Sequence, residues 1–237
     1  DLDGTTLGWG DEAKTLELME KIARREGVGD ILAGGAIKIF EKWPQLEPIL
    51  LHVKGLEQSA YDARLAISQA LGYGTSDIGA HHARAWTIGK EMEMGSKWSL
   101  EEKADLVIYH QSVRPLFDML GVCRLPWIEL GFDEQYYPKF YEAITGVQAT
   151  LKDLLARAND LYSLTRFINI ARGIDAKKDY PPPRTFEDPV VTGPNAGKKV
   201  DRAEYDRLLQ IYYEKRGWDT GGVPPDSMRE LFNDPLR

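Results

Sequence analysis

Asp118-Met119-Leu120-Gly121-Val122-Cys123 ends a long helical stretch and carries the only cysteine of the chain. Asp118 and Val122 are four residues apart and share one face of a helix. Gly121 suits the left-handed turn that stops a helix, and its missing side chain lets a flat ligand approach the backbone. Cys123 then emerges just past the helix end. A carboxylate accepts hydrogen bonds from ring N–H groups, and a thiolate ligates iron, so the run has the shape of a cofactor clamp. The plain alternative makes Cys123 a small buried hydrophobe, Asp118 an ordinary exposed acid and Gly121 a helix stop. For Gly121 both readings hold together.

The sequence on either side predicts a mainly α fold. Upstream, Ser99-Leu100-Glu101-Glu102 is a capping box opening a helix through Ala104, Val107 and Ile108, with Pro115 expected to kink or restart it before Gly121. Downstream, residues 150–171 form the strongest helix, with Leu151, Leu154, Leu155, Ala158, Leu161 and Tyr162 inward and Gly173 as its stop. A Pro- and Gly-rich loop over 179–183 and 186–199 leads to a helix capped by Asp201, with Tyr205, Leu208, Leu209 and Tyr212 as its core stripe and Gly217 at its end. A short helix follows Pro225-Asp226. Near the N-terminus, Asp11 caps a helix to about Arg25 with Leu16, Met19, Ile22 and Ala23 on one face. Asp30 caps a second piece, broken at Gly34-Gly35. Residues 49–53 read as strand or extended chain. Residues 61–71 read as small and apolar, interrupted by Gly72 and Gly74.

At 237 residues the chain can hold one large domain or two small ones around a real core. A net charge of -7 argues against nucleic-acid and anionic-membrane partners. One cysteine excludes an intrachain disulfide framework and fits a reducing, cytoplasmic setting. No apolar run reaches the length of a membrane span. The chain opens on Asp1 without a signal-peptide pattern, so it is expected to start inside a longer or processed polypeptide. Asp1, Asp3, Asp11 and Glu12 read as loop and helix-cap chemistry rather than a divalent-ion site. The tryptophans and the tyrosine stripe read as core and interface packing.

A set of short segments adds a family resemblance. In order they are Leu7-Gly8-Trp9-Gly10-Asp11, Leu32-Ala33-Gly34-Gly35, His52-Val53-Lys54-Gly55-Leu56-Glu57, Ala60-Tyr61-Asp62-Ala63-Arg64, Tyr73-Gly74-Thr75-Ser76, residues 79–85 with His81 and His82, residues 118–123, and Gly217-Trp218-Asp219 with Gly222 and Pro224. Each is weak alone. Together, and in this order, the chain resembles the C-terminal part of the tungsten-containing aldehyde:ferredoxin oxidoreductase family. It departs from the family pattern at Val122 (usually Leu), Ala63 (often Pro), Gly34 (often Glu) and His81 (often Cys or Asp).

The resemblance implies the helical end of a middle domain over residues 1–54 and a C-terminal helical domain over 55–237, with the seam near residues 48–55. It implies a missing N-terminal portion holding a β-rich domain and three cluster cysteines. The implied cofactors are tungsten, or molybdenum, held by two pterin dithiolenes, a [4Fe–4S] cluster, and Mg2+ bridging the pterin phosphates. Asp118, Gly121 and Val122 would contact pterin, and Cys123 would be the fourth cluster ligand. Asp1 would be the last residue of a matching motif. His82 matches the histidine near tungsten and would be the acid–base residue, since imidazole titrates near neutrality. His81 stays an alternative. On a helix the two would point in different directions and not act as a pair. Lys54, Glu57 and Arg64 gain no chemical role, and organising the seam would explain them.

The implied activity is anaerobic oxidation of an aldehyde to a carboxylic acid, with electrons passing through the cluster to ferredoxin or an iron–sulfur electron-transfer subunit, in an assembly that can be oligomeric. A tungsten enzyme reducing the ring of an aromatic acyl substrate, of the benzoyl-CoA type, is the alternative within the family. From another class, a non-catalytic helical scaffold would carry neither iron nor tungsten.

Overall fold

The computed structural model describes residue 4 and residues 6–94, 97–129, 131–228 and 230, without the side chains of 128 and 129. Asp1 and Asp3 lie outside the described residues, as does most of the segment after residue 228. The described part is helical apart from one small hairpin. Its elements are α1 (Glu12–Arg24), α2 (Val28–Leu32), α3 (Gly35–Lys42), β1 (His52–Val53), β2 (Leu56–Glu57), α4 (Ile67–Thr75), α5 (Ile88–Met94), α6 (Leu100–Leu120), α7 (Leu125–Glu129), α8 (Tyr136–Thr145), α9 (Leu151–Ala171), α10 (Arg184–Glu187) and α11 (Arg202–Lys215). Short 3-10 turns cover Pro44–Ile49, His82–Arg84 and Ala176–Lys178.

Local chemistry sets most helix ends. Ser99 and Glu102 form a reciprocal capping box on α6, and Thr150 and Asp153 do the same on α9. Asp201 caps α11 by accepting from Glu204 N, and Asp11 caps α1 by accepting from Lys14 N. The core centres on α6, which packs against α9 and α11, with α4 against α6. The α11 stripe behaves as its period requires: Tyr205, Leu208, Leu209 and Tyr212 are all buried.

Several sequence expectations are corrected. α1 buries no residue, and Leu16 and Met19 are more than half exposed. Its main partner among the described residues is α2, so its apolar stripe has no core to face. Asp30 lies inside α2, whose cap is Gly27. Ile49 ends a 3-10 turn, and only His52 and Val53 of that stretch are strand. α10 interrupts the expected loop after Asp179. Leu161 and Trp9 are exposed rather than packed inward. One helix runs through Pro115, although proline gives the Gln111 carbonyl no helical donor. Burial of Gln111 to Phe117 against the neighbouring helices offsets that loss.

α4 also runs through Gly72 and Gly74. A Cβ on Gly74 would sit 2.3 Å from the Tyr205 hydroxyl and 2.7 Å from the Asp179 carbonyl, so this glycine serves a close helix approach.

That approach surrounds a buried ionic knot. Asp179 pairs with Lys54 at 3.1 Å and with Arg166 at 2.6 Å, and it accepts from the Tyr213 hydroxyl at 2.7 Å. Lys54 sits in the hairpin turn with φ +53 and also donates to the Gly74 carbonyl. Glu57 accepts from Ala36 N at 2.5 Å. Arg64 pairs with Asp62 and donates to the Asp188 and Pro189 carbonyls. All three residues from the resembling segments thus tie distant pieces of chain together.

Candidate functional site

The C-terminal end of α6 builds the site. Gly121 adopts φ +64 and ψ +30. Its N–H bonds to the Asp118 carbonyl and the Val122 N–H to the Phe117 carbonyl, which is a Schellman closure. The turn leaves Val122 and Cys123 exposed, so the buried-thiol reading of Cys123 does not hold. The Asp118 side chain is also exposed and pairs with Arg84 at 3.1 Å.

Stepping back along α6 in fours from Asp118 reaches Arg114 and His110, neither singled out by the sequence reading. Arg114 is 3 % exposed, and Nε, Nη1 and Nη2 find no acceptor among the described residues. The guanidinium lies against the rings of Trp127 at 5.2 Å and Phe117 at 6.0 Å. Burial, and then Arg124 and Arg84, push its pKa down to about 10. It remains charged at neutral pH. A buried cation without a counter-ion is costly, so such a group calls for an anion or a strong acceptor.

Arg114 lines a cavity of about 210 Å3 together with His81, Arg84, Asp118, Val122 and Arg124, its guanidinium nitrogens lying just beneath the wall. Arg84 is shared between Asp118 and Asp77, the latter at 3.2 Å. Arg114 and Arg124 make no ion pair among the described residues. The cavity therefore carries a surplus of positive charge within a chain of net charge -7.

The two histidines meet here in an unexpected way. His81 has extended backbone (φ -95, ψ 112) and precedes a 3-10 turn rather than sitting in an α-helix. Its ring stacks on that of His82 at 5.3 Å and 6°. The expected divergence assumed helical geometry, which the cap position removes. His81 Nδ1 accepts from Ala83 N at 3.1 Å, which leaves the proton of the neutral ring on Nε2. His82 Nδ1 lies 3.0 Å from Ser59 Oγ, and its ring contacts Tyr61 and Trp86. Burial lowers the pKa of both rings, aided at His81 by Arg84 and Arg124 and at His82 by His81 and Arg124. Both rings therefore favour the neutral form at pH 7, and the Nδ1 lone pair of His81 is already engaged by Ala83 N. Only His81 lines the arginine cavity.

His110 is 8 % exposed, and its Nδ1 has no partner among the described residues. Burial, then Arg114, lowers its pKa from 6.5 to about 4. Below pH 6.5 the unfolded chain takes up a proton that the folded chain refuses, so stability falls with pH until about 4. Going from pH 7 to 5 should cost about 2 kcal/mol through this group. His110→Gln should remove that part of the slope in denaturant unfolding; an unchanged slope would contradict the assignment.

Among the described residues, no group of three or more His, Cys, Asp or Glu side chains could hold a metal ion. Cys123 thus has no company of potential ligands among the described residues. The family model for aldehyde ferredoxin oxidoreductase, domains 2 & 3, matches residues 1–231. The chain belongs to the aldehyde ferredoxin oxidoreductase family. It is 32 % identical over 237 residues to the tungsten-containing aldehyde ferredoxin oxidoreductase of Pyrococcus furiosus, covering 97 % of this chain and 38 % of that protein. The namesake enzyme of Pyrococcus horikoshii is 34 % identical over 221 residues, covering 90 % and 35 %. The chain thus spans well under half the length of these relatives. Among solved structures, the active-site complex BamBC of benzoyl coenzyme A reductase, in complex with 1,5-dienoyl-CoA, superposes with a TM-score of 0.73 at 20 % identity. It covers 99 % of this chain and 40 % of that one, and shares the fold. The aldehyde ferredoxin oxidoreductase relatives named above are tungsten-containing, and the surplus arginine charge fits a group with anionic acceptors while the exposed Asp118 carboxylate fits one with N–H donors.

Proposed function

We propose that this chain is the C-terminal part of a tungsten-bis-pterin oxidoreductase. The reaction converts an aldehyde and water to a carboxylic acid, two protons and two electrons, and the electrons pass singly to ferredoxin or an iron–sulfur subunit. The orphaned guanidinium of Arg114, one turn before Asp118, carries this reading. When bound, the tungsten centre supplies the two-electron couple and Lewis acidity, and a [4Fe–4S] cluster supplies the one-electron step. Asp118 accepts hydrogen bonds from pterin N–H groups, with Gly121 and Val122 presenting backbone to its edge. Cys123 provides one cluster thiolate. Arg114 and Arg124 balance the negative charge of the assembly.

His82 is the proton acceptor. Its Nδ1 is oriented by Ser59, and its lowered pKa keeps the ring neutral before turnover. In the complete protein, His82→Asn should lower turnover about 10²-fold or more while iron and tungsten contents hold. Full activity in that variant refutes the role. Arg114→Met tests the anion seat. It removes an unpaired buried cation, so the cofactor-free protein should lose no stability, while tungsten and pterin retained through purification should fall severalfold. Normal retention together with a destabilised cofactor-free protein would mean that Arg114 instead pairs with a carboxylate outside these residues.

A further inference from the structure

We propose that Ser59 and Tyr73 are positioning residues that hold neutral His82 as its Nδ1–H tautomer and leave Nε2 as the bare, basic nitrogen. That this nitrogen takes up a proton in turnover rests on the oxidoreductase reading above. A chain of hydroxyls runs beside the ring. His82 Nδ1 lies 3.0 Å from Ser59 Oγ, and Ser59 Oγ lies 3.2 Å from the Tyr73 hydroxyl. The Tyr73 hydroxyl in turn donates to the Tyr61 carbonyl at 3.3 Å. Tyr73, on α4, is 0 % exposed, so its hydroxyl proton must go to a protein acceptor.

A carbonyl can only accept, and this gives the chain its direction. Tyr73 donates to Tyr61, Ser59 to Tyr73, and His82 Nδ1–H to Ser59, so every proton in the chain makes a hydrogen bond. Any other placement of the protons makes at least one bond fewer. One additional hydrogen bond favours the first arrangement by about tenfold. His81 is held the other way, because Ala83 N already donates to its Nδ1. Two rings stacked at 5.3 Å thus carry opposite tautomers, with Nε2–H on His81 and a bare Nε2 on His82. His81, Arg124 and Arg114 all disfavour a charged His82 ring before turnover. When Nε2 takes one proton from the attacking water, Nδ1–H already faces an acceptor. The imidazolium strengthens that bond, and no proton has to move along the chain. The proton on Nε2 passes to solvent after product release.

The experiment labels the histidines of the complete protein with nitrogen-15 and records long-range proton–nitrogen correlations at neutral pH. His82 signals are identified by their loss in His82→Asn. A protonated-type shift at His82 Nδ1 and a bare-type shift at Nε2 are expected, with the reverse at His81. Tyr73→Phe removes a hydroxyl that does not touch the ring. The two directions of the Ser59–His82 bond then make equal numbers of hydrogen bonds, so a substantial Nε2–H population should appear at His82. kcat should fall severalfold at nearly constant KM. Ser59→Ala should do the same, and Ser59→Thr should restore the original pattern. A His82 ring protonated at Nε2 in the unaltered protein overturns the inference, as does an unchanged pattern in folded Tyr73→Phe or Ser59→Ala. The expected tautomer together with full activity of His82→Asn supports the chain and overturns His82 as the proton acceptor.

Discussion

Cys123→Ala in the complete protein is expected to abolish the [4Fe–4S] EPR signal and lower the iron content while leaving the polypeptide folded. Cys123 is exposed one residue beyond the Schellman turn, so the substitution opens no cavity in the core. Exposed substitutions of this kind change stability by about 0.5 kcal/mol or less. A cluster, by contrast, needs each of its thiolates, and under the proposed function Cys123 would be one of them. Loss of signal combined with an unchanged unfolding midpoint of the cofactor-free protein would separate a ligand from a packing residue. An unchanged cluster spectrum would sink the assignment.

Asp179→Asn should destabilise the protein by about 3–5 kcal/mol, the range for removing one partner of a buried ionic group. The Asp179 side chain is 1 % exposed and stands between Lys54 and Arg166, themselves at 3 % and 5 %. The amide would leave two buried cations facing one another. Burial already lowers the Lys54 pKa despite its carboxylate partner, and losing Asp179 would drive the ammonium to shed its proton. Lys54→Met in the same background should therefore recover part of the loss, a coupling readable in a double-mutant cycle by denaturant unfolding. A loss under about 1 kcal/mol, or strict additivity of the two changes, would remove Asp179 from the centre of the knot.

Several elements were legible residue by residue. The box at Ser99, the Asp201 cap and the left-handed Gly121 were readable because each depends on residues within one helical turn. The tyrosine stripe of α11 was readable from its period. The break at Gly34-Gly35 was readable from propensity, whereas the same argument failed at Gly72 and Gly74, where close approach by Tyr205 and Asp179 prevailed. Arg114 and His110 share the Asp118 face at intervals of four, a spacing present in the sequence, but their burial without partners among the described residues is not. The stacking of His81 on His82 was not readable, since it follows from His81 standing outside the 3-10 turn.

The sequence by itself determined the helical class, the main caps, the family and the left-handed turn at Gly121, all of which rest on local geometry or ordered motifs. Only the tertiary structure decided that Cys123 is exposed, that Arg114 is buried without an acceptor among the described residues, and that Lys54, Arg166 and Asp179 share one knot. Burial and pairing depend on which distant segments meet, and a residue's own neighbours in the chain do not encode its solvent or its counter-ion.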